Sequence, residues 1–259
     1  LSRPPALVES VVVDRLRAAG CVFAEDEARL LLAAPVDEVE LAVMVERRVA
    51  GYPLEHILGW AEFCGLRVGV DAGVFVPRRR TEFLALEAIG LAGAGAVVVD
   101  LCCGSGALGA AIAAAVPGIT LFASDIERAA VACARRNLPT AEVFEGDLFD
   151  ALRGSLRGRI DVLVCNTPYV PTDEIRMLPP EARDHEPRVT LDGGADGLDV
   201  QRRVAAAAGA WLAPGGSVLV EASELQAPEA AAVFAAHGLS ARIAFSDEYS
   251  ASVVIATRE

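Results

Sequence analysis

The run Val97-Val98-Val99-Asp100-Leu101-Cys102-Cys103-Gly104-Ser105-Gly106-Ala107-Leu108-Gly109 constrains this chain most. Apolar residues of strand character lead into a glycine turn, and alanine-rich sequence follows, so the segment reads as strand, tight turn and helix. The strand at 97–101 and a helix over about 108–115 form the first βα unit. Further strands are expected at 120–124, 142–145, 160–165 and 217–221, with helices at about 81–91, 128–137 and 201–212. That alternation predicts an α/β fold with a mostly parallel, doubly wound sheet. A last pair of short strands, near 241–245 and 252–256, has no helix between its members and predicts an antiparallel edge hairpin.

Upstream, residues 7 to about 50 read as helices, because Val8, Val12 and Leu16, then Leu41, Val45 and Val49, recur at helical spacing among charges. Over 61–76 the pattern shortens, with Phe63, Leu66, Val68 and Val70 placed around Gly65 and Gly69, which predicts a small hairpin. The expected organisation is a helical domain over 1–60, a hairpin linker over 61–76 and a larger domain over 77–259. The segment 171–197, rich in Pro, Gly and charge, is the one long loop expected. Long loops in compact domains tend to carry function.

All 23 basic residues are arginine. Without lysine the chain cannot be a Schiff-base, pyridoxal-phosphate or P-loop enzyme, since each needs that amine as nucleophile or phosphate clamp. A net charge of -13 opposes generic binding to nucleic acid or to an anionic membrane. No stretch reaches the roughly 20 apolar residues of a membrane span, and no signal-peptide pattern opens the chain, so the expectation is a cytoplasmic protein, acting as a monomer. The three histidines, His56, His185 and His237, stand apart from one another, and the six cysteines form no zinc spacing. Neither a metal site nor a Ser-His-Asp triad is expected.

Gly104 to Gly109 satisfies G-x-G-x-x-G, a pattern shared by dinucleotide binders and S-adenosylmethionine binders. Glycines there let the backbone approach a ligand at a helix N-terminus. Asp125 ends the second strand, where a carboxylate can accept hydrogen bonds from both ribose hydroxyls. Asp147, after the third strand, falls where an adenine edge would lie, with Leu148 able to cover the ring.

The fourth strand ends in Asn166-Thr167-Pro168-Tyr169, which suits a planar NH₂ acceptor. The nitrogen of such a group is a poor nucleophile because its lone pair is delocalised. Asn166 Oδ1 and the Thr167 carbonyl can each accept one N–H and turn the lone pair toward a bound methyl donor, while Tyr169 can stack on the plane. Orientation would supply most of the acceleration. No strong base is needed.

These residues, together with Pro53-Leu54-Glu55-His56-Ile57-Leu58-Gly59, Pro77-Arg78-Arg79-Arg80-Thr81-Glu82, Gly146-Asp147-Leu148-Phe149 and Glu186-Pro187-Arg188 through Leu198, resemble the HemK/PrmC family. Its members are S-adenosylmethionine-dependent methyltransferases acting on a glutamine side-chain nitrogen of peptide-chain release factors. The resemblance implies a seven-stranded Rossmann-like methyltransferase sheet, a small N-terminal helical domain that helps recognise the protein substrate, and a connecting hairpin. The expected cofactor-binding residues are Asp100, Cys102, Cys103, Gly104, Ser105, Gly106, Asp125, Asp147, Leu148 and Asn166. The expected catalytic residues are Asn166, Thr167, Pro168 and Tyr169. Three segments depart from the family pattern: Thr167 replaces the first proline of Asn-Pro-Pro-Tyr, Cys102 replaces the first glycine of the donor loop, and Pro77-Arg78-Arg79-Arg80-Thr81-Glu82 stands where the family usually has Pro-Arg-Pro-Glu/Asp-Thr-Glu. Two further readings of the same residues are an adenine amino-group methyltransferase on DNA or RNA and a donor-binding relative without this activity. A nicotinamide-dependent oxidoreductase has only the glycine pattern in its favour.

Overall fold

The computed structural model describes residues 5–259, with side chains from residue 9 onward. Four helices come first: α1 (Pro5–Ala18), α2 (Ala24–Leu32), α3 (Glu38–Val49) and the short α4 (Leu54–Leu58). Asp37 caps α3, its carboxylate accepting from the backbone N–H groups of Val39 and Glu40 at 2.9 and 2.8 Å. Val12, Leu16, Leu31, Val45 and Leu54 close a core of their own, as their spacing requires. The side chain of Val8, assigned to the same stripe, lies outside the described residues.

Strands β1 (Trp60–Phe63) and β2 (Leu66–Gly69) pair antiparallel as the expected hairpin. Phe63 and Val68 are buried in one cluster with residues of the sheet domain, so the hairpin packs on the larger core and does not hang free. Beyond it the chain runs α5 (Glu82–Leu91), β3 (Val97–Leu101), α6 (Ala107–Ala115), β4 (Thr120–Asp125), α7 (Arg128–Asn137), β5 (Glu142–Glu145) and β6 (Ile160–Cys165). After α8 (Pro180–His185) come α9 (Asp199–Trp211), β7 (Leu212–Ala222), α10 (Ala227–Ala236), β8 (Ser240–Ser246) and β9 (Ala251–Thr257). The seven-stranded sheet has the order β5-β4-β3-β6-β7-β9-β8. Its first five strands are parallel and the last two pairings are antiparallel.

Two expectations are corrected, and the closing strand pair is found as expected. Helix α10 lies between β7 and β8, where no element was expected; its Ala-Pro-Glu-Ala-Ala-Ala sequence carries little amphipathic contrast and hid it. The closing strands β8 and β9 pair antiparallel at the sheet edge, as expected. Strand β9 inserts between β7 and β8, which is why Ala251 to Ala256 is buried throughout. The segment 171–197 is not one loop: it contains α8 and two 3-10 turns, and Val170 bridges Asp192. Pro179 and Pro187 break it into pieces too short for periodicity to reveal. Among the described residues no helix is long and apolar enough to cross a membrane.

Candidate active site

Strand register builds the site. Leu101 pairs with Ser124 on one side and Cys165 on the other, and Cys165 pairs with Val220. The next residue on each strand therefore falls in a single row along the carboxyl edge: Asp125, Cys102, Asn166 and Glu221. Chain order runs outward in opposite directions from β3 and β6, which makes this the crevice where open α/β sheets hold ligands.

The glycine turn is held by side chains at both ends. Asp125 Oδ2 accepts from the Gly104 N–H at 2.8 Å and its Oδ1 from the Glu127 N–H at 2.9 Å. Burial raises the Asp125 carboxyl above the usual aspartate range. Behind the turn, fully buried Asp100 accepts from the Gly109 N–H at 2.9 Å and braces the first turn of α6. Burial, reinforced by the charge of Asp125, pushes Asp100 up to about 8. Cys102 takes a left-handed φ of 58°, a conformation that glycine adopts without strain. Gly104 has open space where a Cβ would stand, whereas at Gly106 a Cβ would lie 2.9 Å from Leu138 Cδ1. The first glycine exposes backbone to a ligand; the second lets α6 pack on α7.

Across the crevice, Asn166 Oδ1 is a buried acceptor with no partner in the protein, and Thr167 is 2% exposed. The Tyr169 hydroxyl donates to Glu221 Oε1 at 2.7 Å, and the Tyr169 carbonyl accepts from Gln226 Nε2 at 2.9 Å. One cavity of about 250 Å³ is lined by Cys102 to Ser105 and Asp125 on one wall and Asn166 to Tyr169 on the other. Leu178, Pro179 and Val189 to Leu191 of the late segment contribute a further wall.

A family model described as "Methyltransferase small domain" matches residues 68–178. The "Release factor glutamine methyltransferase" of Geobacter sulfurreducens is 39% identical over 211 residues, which span 79% of this chain and 73% of that protein. The chain belongs to the release factor glutamine methyltransferase family. A second relative, the "4-amino-L-phenylalanine/4-methylamino-L-phenylalanine methyltransferase" of Streptomyces pristinaespiralis, is 36% identical over 86% of this chain and 78% of its own length. A solved methyltransferase from Pyrococcus furiosus shares the fold, with a TM-score of 0.57 at 17% identity, covering 75% of this chain and 89% of that one. The protein is thus an S-adenosylmethionine-dependent methyltransferase.

Not every residue expected in this methyltransferase's site reaches the cavity. Asp100 and Gly106 stand behind its wall, where they shape the turn. Asp147 and Leu148 are not among the lining residues; Asp147 instead pairs with Arg203 at 2.7 Å, and Leu148 holds a left-handed φ of 47°. His185 stacks on Tyr52, with ring centroids 4.2 Å apart. The arginine run finds acids: Arg78 pairs with buried Glu186 at 2.6 Å, and Arg80 Nε lies 3.4 Å from Glu221.

Three contributors, Asn137, Glu221 and Gln226, were not expected from the sequence. Asn137 Nδ2 donates to the carbonyls of Ser105 and Gly69, both at 2.8 Å, and its Oδ1 accepts from the Gly69 N–H at 3.0 Å. One side chain thus ties the hairpin to the glycine turn. Glu221 and Gln226 grip Tyr169, and Gly197, within the late segment singled out from sequence, packs against it. For Glu221 a signal was present: like Asp100, it is a carboxylate one residue before the end of a buried strand.

Proposed function

We propose that this methyltransferase transfers the methyl group of S-adenosylmethionine to the side-chain amide nitrogen of a glutamine in a peptide-chain release factor. The observation that carries the reading is the unpartnered Asn166 Oδ1, across one cavity from the glycine turn. A buried acceptor without a partner is costly unless a ligand satisfies it.

The residues present fit the donor. Gly104 leaves its backbone facing open space. Each Asp125 oxygen spends one lone pair on the backbone and keeps another for a ribose hydroxyl. S-adenosylmethionine supplies a methyl group on a sulfonium, an electrophile that needs no acid to activate it. The chain's own task is orientation. Asn166 Oδ1 and the Thr167 carbonyl take one amide N–H each, fixing the plane of the glutamine side chain, and Pro168 biases Thr167 toward the extended backbone that presents its carbonyl. As nitrogen gains positive charge, both acceptors hold its hydrogens more strongly. Tyr169, four residues beyond the end of β6, bounds the plane. The net charge of -13 argues against the nucleic-acid version of this chemistry.

A free arylamine presents the same planar NH₂, and the name of the Streptomyces relative favours it as a second reading. Mass spectrometry of a release factor and of 4-aminophenylalanine, each incubated with the enzyme and donor, separates the two. One methyl on a single release-factor glutamine is expected. An unmodified release factor beside methylated 4-aminophenylalanine would overturn the proposal in favour of the arylamine.

A further inference from the structure

Glu221 is the penultimate residue of β7, in the same row as Asn166, and it is 2% exposed. Its Oε1 receives the Tyr169 hydroxyl at 2.7 Å and faces Arg80 Nε at 3.4 Å, while Oε2 has no partner. Nothing in the methyl transfer calls for a buried carboxylate here, because the donor is already activated and the departing proton leaves a strongly acidic nitrogen. We propose that Glu221 is a positioning residue, holding the Asn166–Tyr169 motif in its acceptor geometry through the Tyr169 hydroxyl.

Tyr169 is gripped at both ends. The carboxylate holds its hydroxyl, and Gln226 Nε2 holds its carbonyl at 2.9 Å. The Arg80 guanidinium lies over its ring, 5.7 Å from the centroid. Glu221 is itself fixed, since its carbonyl accepts from Gln201 Nε2 at 2.9 Å and Gln201 is fully buried. The tether therefore runs from the body of the sheet to the strap that carries Asn166. A charge-assisted hydrogen bond of this kind is about twice as strong as a neutral one. Burial and the Glu221 charge raise the Tyr169 phenol well above its ordinary range, so the hydroxyl keeps the proton that it donates.

The test uses Glu221→Ala, Glu221→Gln, Tyr169→Phe and the double variant Tyr169→Phe/Glu221→Ala, each checked for donor affinity by calorimetry. Glu221→Ala and Tyr169→Phe should each lower kcat by roughly 10- to 100-fold, the range of a hydrogen bond to a charged group. Donor affinity should stay near wild type. Glu221→Gln keeps an acceptor at Oε1 and should restore most of the loss. The double variant should be no worse than the poorer single, because both changes cut one tether. Losses that multiply in the double variant would overturn the proposal.

The turnover readout rests on the acceptor reading above, so a second readout is taken without substrate. Amide hydrogen exchange across Thr167, Tyr169 and Val170 should rise in Glu221→Ala and Tyr169→Phe and stay near wild type in Glu221→Gln. Unchanged exchange in Glu221→Ala would also overturn the proposal. If the wild-type enzyme methylates no glutamine, the proposed function fails and exchange alone decides on Glu221.

Discussion

The carbonyl of Tyr169 lies against the backbone of Gly197, so close that a Cβ on Gly197 would overlap it and Gln226 Nε2 together. Gly197 also holds a left-handed φ of 80°. The late segment therefore closes directly on the acceptor motif. Gly197→Ala adds a left-handed penalty of about 1–2 kcal/mol to an overlap that neither backbone can relieve in place. The expected result is a loss of at least ~2 kcal/mol in stability and a clear fall in turnover, read by thermal unfolding and initial rates. A variant with wild-type melting and rate would show that the two backbones are free to separate.

Asn166→Ala removes the acceptor that has no partner in the protein, leaving the glycine turn and Asp125 untouched. Turnover should fall by about 10²–10³, the cost of removing one preorganised hydrogen-bonding group from a transition state. Donor affinity by calorimetry should remain within about threefold of wild type, a difference well under one hydrogen bond. An equal loss of donor affinity and turnover would place Asn166 with the donor alone.

The parts legible in the sequence were those fixed by local pattern. Val97 to Leu101 and Ile160 to Cys165 are near-continuous apolar runs, as parallel strands buried on both faces must be, and both lie where expected. Asn166 and the glycine turn were legible because their spacing from those strands is short. Glu221 carried the signal of an acid near the end of a buried strand, but its link to Tyr169, like that of Gln226, was not legible, because it depends on the pairing of β6 with β7 across many residues of chain. Asn137 was hidden in the same way: its partners, Gly69 and Ser105, belong to different elements. The placement of Asp147 beside Arg203, outside the cavity lining, turned on a tertiary ion pair that no local pattern announces.

Asn137 spends both ends of its amide on backbone groups of the hairpin and the glycine turn. Asn137→Ala leaves the Ser105 and Gly69 carbonyls and the Gly69 N–H without that partner, at about 1–3 kcal/mol for each group left unsatisfied when buried. Weaker donor binding is expected along with lower stability, since the turn loses its anchor. Asn137→Asp keeps the acceptor for Gly69 and loses both donated bonds, so its donor affinity should resemble that of the alanine variant. Wild-type donor affinity in Asn137→Asp would mean that the bond to Ser105 does not hold the turn.

Asp100 makes stability depend on pH. Its carboxyl is held at about 8 by burial and by the neighbouring Asp125 charge, against about 3.9 for an aspartate in an unfolded chain. Between those values the folded protein keeps a proton that the unfolded chain has released, so each rise in pH favours unfolding. The penalty begins near pH 4, grows to about pH 8 and then levels, because above 8 both states are ionised. In Asp100→Asn the amide oxygen would still accept from the Gly109 N–H, but the side chain would not titrate. The melting temperature of Asp100→Asn minus that of wild type should therefore widen steadily from pH 5 to pH 8 and flatten above it. A difference that is constant over this interval would show that Asp100 is ionised in the folded protein at neutral pH.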